Sequence, residues 1–202
     1  MTHRLLNAIS LIAFPLAVAA QVPGTALDLS VSAGARFRND AGERVSGARL
    51  DVGLMLVRRA DRNLMFGGGE LTLGYTQMNI HASGVGIREN SLELSAVADA
   101  LVAHDGPWRL DAGLGLVLSN GLGCTTDGGG VQAAGGIPCV HAYADNATTL
   151  VGYRTRLTSA WKNSNATFFL GADLTWHTVA SGPGSAPAVY AGLRYQLRAL
   201  GR

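Results

Sequence analysis

The chain contains 202 residues, which is enough for one barrel, one sandwich or one ordinary globular domain. Its formal net charge is only +2 at pH 7 and Lys162 is its one lysine, so the composition offers no basic platform for nucleic acid. Charged residues make up 15% of the chain, whereas soluble domains usually carry about 25%. The composition therefore argues against an ordinary water-exposed surface.

The N-terminal segment has the pattern of a secretory signal peptide. Residues 2–4 are polar or basic, residues 5–16 are mainly apolar, and residues 17–20 are small. This order is typical of a signal peptide that is removed after residue 19 or 20. The alternative, an uncleaved membrane anchor, needs about 20 apolar residues, which is more than this segment has. We therefore predict a signal peptide over residues 1–20 and one exported domain over residues 21–202.

A strict alternation of side-chain types begins at Trp108 and ends at Ser119. Charged residues, glycine and serine occupy most of one set of alternate positions in this stretch. Since side chains of a β-strand alternate between two faces, the pattern predicts a strand with one apolar and one polar face. The apolar face consists of Trp108, Leu110, Ala112, Leu114, Leu116 and Leu118.

Seven other segments alternate in the same way, and no segment has a convincing helical period. The predicted strands cover residues 26–37, 47–57, 64–79, 91–104, 108–119, 147–161, 166–178 and 189–197. An even number of strands joined as a meander can close on itself and leave no edge. The sequence therefore predicts an all-β fold, an eight-stranded antiparallel up-and-down barrel. Residues 67–69 are three glycines that interrupt the third strand, where we predict a β-bulge.

The connections between these strands alternate in length. Residues 38–46, 58–63, 104–107 and 162–165 read as turns, whereas residues 80–90, 120–146 and 179–188 read as longer loops. The loop over residues 120–146 holds both cysteines, and in an exported chain we expect a disulfide between Cys124 and Cys139. Two free thiols are the alternative. A metal site that includes His141 is disfavoured, because no fourth ligand is evident.

The composition of the polar face indicates whether that face points into the barrel or away from it. A soluble barrel such as a lipocalin has its apolar face inside, and a membrane barrel has it outside. Glycine, serine, threonine and nearly balanced ions suit a narrow lumen, and aromatic residues such as Trp108 and Trp161 fall near strand ends, as in interfacial girdles. We therefore predict a transmembrane barrel with a packed lumen. Its predicted ion network consists of Arg36, Arg49, Asp51, Glu70, Glu93, Asp99, Arg109, Asp111, Arg154, Arg156, Asp173 and Arg194.

In these features the whole exported chain resembles the small outer-membrane β-barrels of Gram-negative bacteria. The transmembrane domain of outer-membrane protein A and the OmpX/Ail-type proteins are the general examples. The last strand is similar to the assembly signal of such barrels through Tyr190, Gly192, Tyr195 and Leu197, although Leu197 replaces the usual terminal aromatic residue. The resemblance implies an outer-membrane location, contact with lipid and lipopolysaccharide, and insertion by the barrel-assembly machinery.

Three functions remain open at this stage. A structural or surface-interaction protein would present the long loop to partners, and this is the reading we favour, with a monomer and no cofactor. A lipid A-modifying acyl hydrolase of the same fold would use His177 with Ser181, but no acid follows Thr178 to complete a triad, and Ser119 has no adjacent histidine in the sequence. A small narrow channel is the third alternative.

Overall fold

The computed structural model describes residues 25–40, 43–58, 66–82, 85–126, 149–179 and 182–199. The predicted signal peptide, Cys139 and Ser181 lie outside these described residues. No helix in the described ranges is long and apolar enough to cross a membrane. The strands are β1 (Thr25–Asp40), β2 (Glu43–Arg58), β3 (Phe66–Ala82), β4 (Val85–Asp105), β5 (Trp108–Thr126), β6 (Thr149–Asn163), β7 (Ala166–Val179) and β8 (Gly182–Ala199).

These strands form one closed barrel in chain order, and every strand pairs antiparallel with its neighbours. β8 returns to β1 and closes the barrel, with Ala199 opposite Ala26 at one end and Ala188 opposite Arg36 towards the other. Because the ladder is closed, each strand finds backbone partners on both sides and no edge is exposed. The predicted eight-stranded antiparallel up-and-down barrel is confirmed.

The apolar side chains point outwards. Leu114 is 62% exposed, and Leu50, Leu193 and Leu170 have more than half of their surface exposed. In contrast, the arginines and carboxylates on the opposite face of the strands are buried inside the barrel. A barrel in water would gain free energy from the reverse arrangement, so this distribution is that of a transmembrane barrel. The predicted orientation of the two faces is confirmed.

Bulky side chains fill the lumen where the strands carry glycine. Met55 and Val117 are fully buried, and the rings of Phe169 and Tyr190 meet edge to face with their centroids 6.2 Å apart. Gly171 makes room for this pair, since a Cβ atom there would lie 2.3 Å from the Tyr190 ring. The centre of the barrel is therefore a packed core, as eight strands leave space for little more than side chains.

A β-bulge in β3 lies where the three glycines predict it. Phe66 pairs with Ala100 and Gly68 pairs with Asp99, so the register shifts between Phe66 and Gly68. Gly68 has a φ of +151°, and a Cβ atom there would lie 2.2 Å from the carbonyl oxygen of Leu56. Only glycine fits this backbone, and the shift brings the strand into phase so that Glu70 is buried in the lumen.

The loop predictions at one end of the barrel are mostly wrong, because much of the chain predicted as loop there forms paired strands. β3 continues to Ala82 and β4 begins at Val85, where a loop over residues 80–90 is predicted. β5 likewise continues to Thr126, and only two residues separate β7 from β8, as is also the case for β1 and β2. Some exposed positions there are polar, such as Asn79 and Asn120, so the regular alternation that marks a lipid-facing strand is interrupted while the backbone pairing persists. We call this the loop end and the opposite end the turn end.

Aromatic side chains lie at the turn end of the apolar surface. Trp108 is opposite Trp161, and Trp161 is in turn opposite Phe168 on the next strand. The indole Nε1 of Trp108 donates a hydrogen bond of 2.9 Å to the hydroxyl of Ser159. Towards the loop end, Tyr153 stacks on Trp176 with ring centroids 5.1 Å apart. Such amphipathic rings suit the two interfaces of a bilayer.

The exposed apolar belt predicts the effect of a charge on the lipid-facing surface. Leu114→Arg, on the belt in β5, should lower the free energy of unfolding by about 2–4 kcal/mol, because the guanidinium would lie in hydrocarbon. Guanidinium unfolding in lipid vesicles, followed by tryptophan fluorescence, measures this. Asn165→Arg in the exposed turn between β6 and β7 is the control and should change stability by less than about 0.5 kcal/mol. Equal effects of both substitutions would contradict a lipid-facing Leu114.

Candidate functional site in the barrel lumen

Every residue of the predicted ion network faces the lumen. Eleven of the twelve form salt bridges with one another, in three groups along the barrel. Arg194 is the exception: its guanidinium lies over the ring of Phe169, with Cζ 4.4 Å from the centroid. The alternation along each strand assigns these residues to the lumen, and the curvature of the closed sheet brings together residues from non-adjacent strands.

The group nearest the loop end is a chain of three arginines and three carboxylates. Arg36 and Arg154 both bind Glu93, Arg154 with an Nη2–Oε2 distance of 2.6 Å. The same Arg154 reaches Asp173 at 3.5 Å. Arg49 in turn binds Asp173 at 2.7 Å and Asp51 at 2.8 Å. Equal numbers of positive and negative groups make this chain neutral, so the buried ions compensate one another.

The central group connects three strands across the lumen. Arg156 on β6 binds Glu70 on β3 and also grips Asp99 on β4 through two nitrogens. Its Nε lies 2.8 Å from Asp99 Oδ1, and the second contact completes a bidentate pair. Ser30 on β1 donates a hydrogen bond of 2.5 Å to Glu70. The guanidinium fork explains the residue type, because a lysine ammonium could not make these parallel bonds.

The third group lies near the turn end, where Arg109 binds Asp111 two residues along β5 at 2.6 Å. Asp111 is almost completely buried, with 1% of its surface exposed. A local pair of this kind holds both residues on one strand and leaves the neighbouring strands free of that cross-link. The lumen is therefore cross-linked most strongly through its centre and loop end.

The sequence pattern did not indicate a fourth ion-paired group or one role of Tyr190. Arg38 binds Glu89 at 3.0 Å near the loop end, but both fall in segments predicted as turn or loop. Their positions continue the alternation of Arg36 and Glu93, so this alternation could have indicated that both side chains point inwards. Tyr190, assigned to the assembly signal, turns into the lumen beneath Arg49, whose Cζ lies 5.6 Å from the ring centroid.

His177 also lies inside the barrel, close to the loop end of β7. Its Nε2 is 2.8 Å from the hydroxyl of Ser119 and 4.0 Å from a carboxylate oxygen of Glu93. Ser119 in turn donates a hydrogen bond of 3.0 Å to that same Glu93 oxygen. The alternation along the strands does not join Ser119 with His177, because they lie 58 positions apart in the chain. Ser181, the predicted partner of His177, lies outside the described residues.

Small cavities lie along the barrel axis among the described side chains. One of about 40 Å³ lies beside His177, and one of about 20 Å³ lies between Arg49 and Tyr190. Another lies at the turn end and measures about 220 Å³. Since one water molecule needs roughly 10–15 Å³, the two smaller cavities accommodate few waters. The ion pairs and the Tyr190 ring thus divide the lumen into separate spaces.

The central group predicts a large penalty when one ion is removed alone. Arg156→Gln should destabilise the barrel by about 3–5 kcal/mol, because Glu70 and Asp99 remain as buried, uncompensated charges. The triple variant Arg156→Gln, Glu70→Gln, Asp99→Asn should recover much of that loss. Chemical unfolding in lipid vesicles measures both. If the triple variant is less stable than the single one, charge compensation is not what holds this group together.

The comparisons with known proteins concern the fold. No protein-family model and no curated protein sequence matches the chain. Neisserial surface protein A, from Neisseria, is 14% identical, with a TM-score of 0.56 over 86% of this chain and 99% of that chain. Ail of Yersinia pestis, solved with the heparin analogue sucrose octasulfate, is 12% identical, with a TM-score of 0.49 over 86% of this chain and 100% of that chain. PagL, an outer membrane enzyme, is 15% identical, with a TM-score of 0.43 over 82% of this chain and 97% of that chain.

The likeness to Neisserial surface protein A carries the conclusion, since its TM-score exceeds 0.5. It extends over nearly the whole of both chains, so no large part of either barrel is left unmatched. At 14% identity it supports the arrangement of strands and nothing about individual residues. The chain therefore has the fold of the small eight-stranded outer-membrane β-barrels, as the sequence pattern predicts.

Proposed function

We propose that the protein is an integral outer-membrane barrel with a structural or surface-interaction role. The observation that carries the proposal is the pairing of an exposed apolar belt with a closed, ion-paired lumen. A belt of this kind is stable only in lipid, and in bacteria closed barrels of this architecture are the proteins of the outer membrane. The lumen acts as an internal core, so the ends of the barrel are the parts available to contact other molecules.

Export and assembly features support the same location. Residues 1–20 have the pattern of a signal peptide, which would deliver the chain to the periplasm. On β8, Tyr195 and Leu197 point outwards with 56% and 51% of their surfaces exposed. These two members of the proposed assembly signal are therefore accessible on the closing strand, where the barrel-assembly machinery would engage them. Tyr190 faces the lumen and Gly192 is half-buried, so these two members also contribute to packing.

The loop end supports a role in surface interaction. β4 has 21 residues and β5 has 19, more than the 9–11 residues that usually span a membrane. At the loop end, β4 begins and β5 ends beyond the apolar belt. Cys124 lies near the end of β5 opposite Glu89, and a disulfide to Cys139 remains a proposal that would tie the segment after Thr126 to the barrel.

Cell fractionation and surface proteolysis test the proposal. We expect the protein in outer-membrane fractions, with a folded band that migrates differently from the boiled one. A protease site inserted after residue 133 should be cut in intact cells, because the segment would face the exterior. The control is the same site inserted between Gly106 and Pro107, which should resist cleavage until the cells are opened. Recovery in the soluble periplasm without a mobility shift would overturn the proposal.

Conductance across planar bilayers separates the structural role from the channel alternative. The divided lumen, with cavities of about 40 and 20 Å³ on either side of ion pairs, supports a barrel that passes no steady current. Regular ohmic steps of nanosiemens size would contradict the closed lumen and favour a channel.

One distance favours a second candidate, the lipid A-modifying acyl hydrolase. Ser119 Oγ lies 2.8 Å from His177 Nε2, which is hydrogen-bond range for a serine nucleophile and its base. Two features weigh against it. Glu93 is next to His177 Nε2, the nitrogen that contacts Ser119, whereas the acid of a catalytic triad binds the other ring nitrogen. In addition, Ser119 is only 2% exposed inside the barrel. The cluster is therefore better suited to anchor the arginine chain at the loop end.

Mass spectra of lipid A from cells with and without the protein test this candidate. The structural reading predicts the same acylation pattern in both, and no change with Ser119→Ala or His177→Ala. A loss of acyl chains that either substitution abolishes, while Thr175→Ser leaves it intact, would establish the hydrolase. Folded-band migration checks that the variants still form the barrel.

A further inference from the structure

A cavity of about 220 Å³ opens at the turn end of the barrel. It is lined by the first residues of β1 and β5 and by the last residues of β4, β6 and β8. Trp108 forms part of its wall, at the level of the aromatic girdle. The cavity thus lies where the lumen meets the membrane interface and water.

The charges that line this cavity are unbalanced. Arg194, Arg109 and Lys162 contribute three positive groups, and Asp28 contributes one carboxylate. Asp111 compensates Arg109 from outside the lining, at 2.6 Å. The lining itself therefore holds more positive than negative groups, and Glu70 and Asp99 lie close enough to offset part of the charge of Arg194.

Two buried polar atoms at this cavity lack partners among the described residues. Arg194 is 3% exposed and its Nε makes no hydrogen bond, although the guanidinium lies over the Phe169 ring. Asp28 is 7% exposed and its Oδ1 is also without a partner. A buried polar atom without a hydrogen bond is costly, and one that borders a cavity can be satisfied by a polar group bound there.

We propose that the turn-end cavity binds a phosphate group, carried by a small molecule or by a lipid headgroup. Arg194 and Lys162 would contact the phosphate oxygens, since guanidinium and ammonium groups are the common phosphate partners in proteins. The unpartnered oxygen of Asp28 would accept a hydrogen bond from a protonated phosphate oxygen or a neighbouring hydroxyl. The volume exceeds that of a bare phosphate, which leaves room for the group that bears it.

Fluorescence of Trp108 reports on the cavity directly. In a Trp161→Phe, Trp176→Phe background, the refolded full chain in nanodiscs of digalactosyldiacylglycerol, an uncharged bilayer lipid without phosphate, is titrated with sodium phosphate at constant ionic strength. We expect a saturable change that sodium chloride does not produce. Arg194→Gln should weaken the apparent affinity by about tenfold, the loss of one charge-assisted hydrogen bond.

Matched variants keep the test independent of folding. Lys162 is exposed, so Lys162→Gln should fold normally and still weaken phosphate binding several-fold. Arg88→Gln removes the same charge from an exposed residue at the loop end and should leave the affinity unchanged. A folded Lys162→Gln barrel that binds phosphate as well as the Arg88→Gln barrel would overturn the proposal, as would the absence of any saturable change.

Nanodiscs that contain phosphatidylglycerol separate the two sources of phosphate. If a lipid headgroup occupies the cavity, these discs should produce the Trp108 change without added phosphate and block its titration. If a free molecule is the ligand, sodium phosphate should titrate equally in both kinds of disc. Either result supports the phosphate site. A change with phosphatidylglycerol that Lys162→Gln and Arg194→Gln leave intact would contradict it, because the lipid would then act elsewhere.

Discussion

The hydrogen-bonded seam between β1 and β8 is the constraint on which the rest of the structure depends. In hydrocarbon each unpaired backbone group costs several kcal/mol, so a sheet that spans a membrane has to close. Closure at eight strands leaves a lumen only wide enough for side chains. Polar groups that turn away from lipid therefore have to satisfy one another inside this narrow space. The ion pairs of the lumen follow from that requirement.

Those ion pairs also decide where the molecule can act. Arg156 connects β6 with β3 and β4, and Arg49 connects β2 with β7, so the centre is occupied and cross-linked. At the turn end Arg194 and Asp28 keep unpartnered atoms beside a cavity of about 220 Å³, and at the loop end Arg36 and Asp173 each keep one as well. A closed centre with distinct ends is in keeping with the structural or surface-interaction role that we propose.

The candidate site could be predicted in part. Alternation assigns Arg49 and Asp173 to the lumen, but it does not pair them, because 124 residues separate them. The pairing depends on the stagger of the strands around the closed barrel, which a single strand does not encode. The contact between Ser119 and His177 could not be predicted for the same reason. The pair of Arg38 and Glu89 could not be predicted because their segments resemble loops.

The fold could be predicted from the sequence alone. The period of two, the apolar face and the glycines around Gly68 determine strands, orientation and bulge, because lipid on one side and a crowded lumen on the other constrain every second residue. Beyond the lipid that constraint ends, so strands such as β3 and β4 continued past their predicted limits. Tertiary structure alone decided the ion partners, the burial of His177 and the turn-end cavity. These depend on which residues the closed barrel places at the same depth.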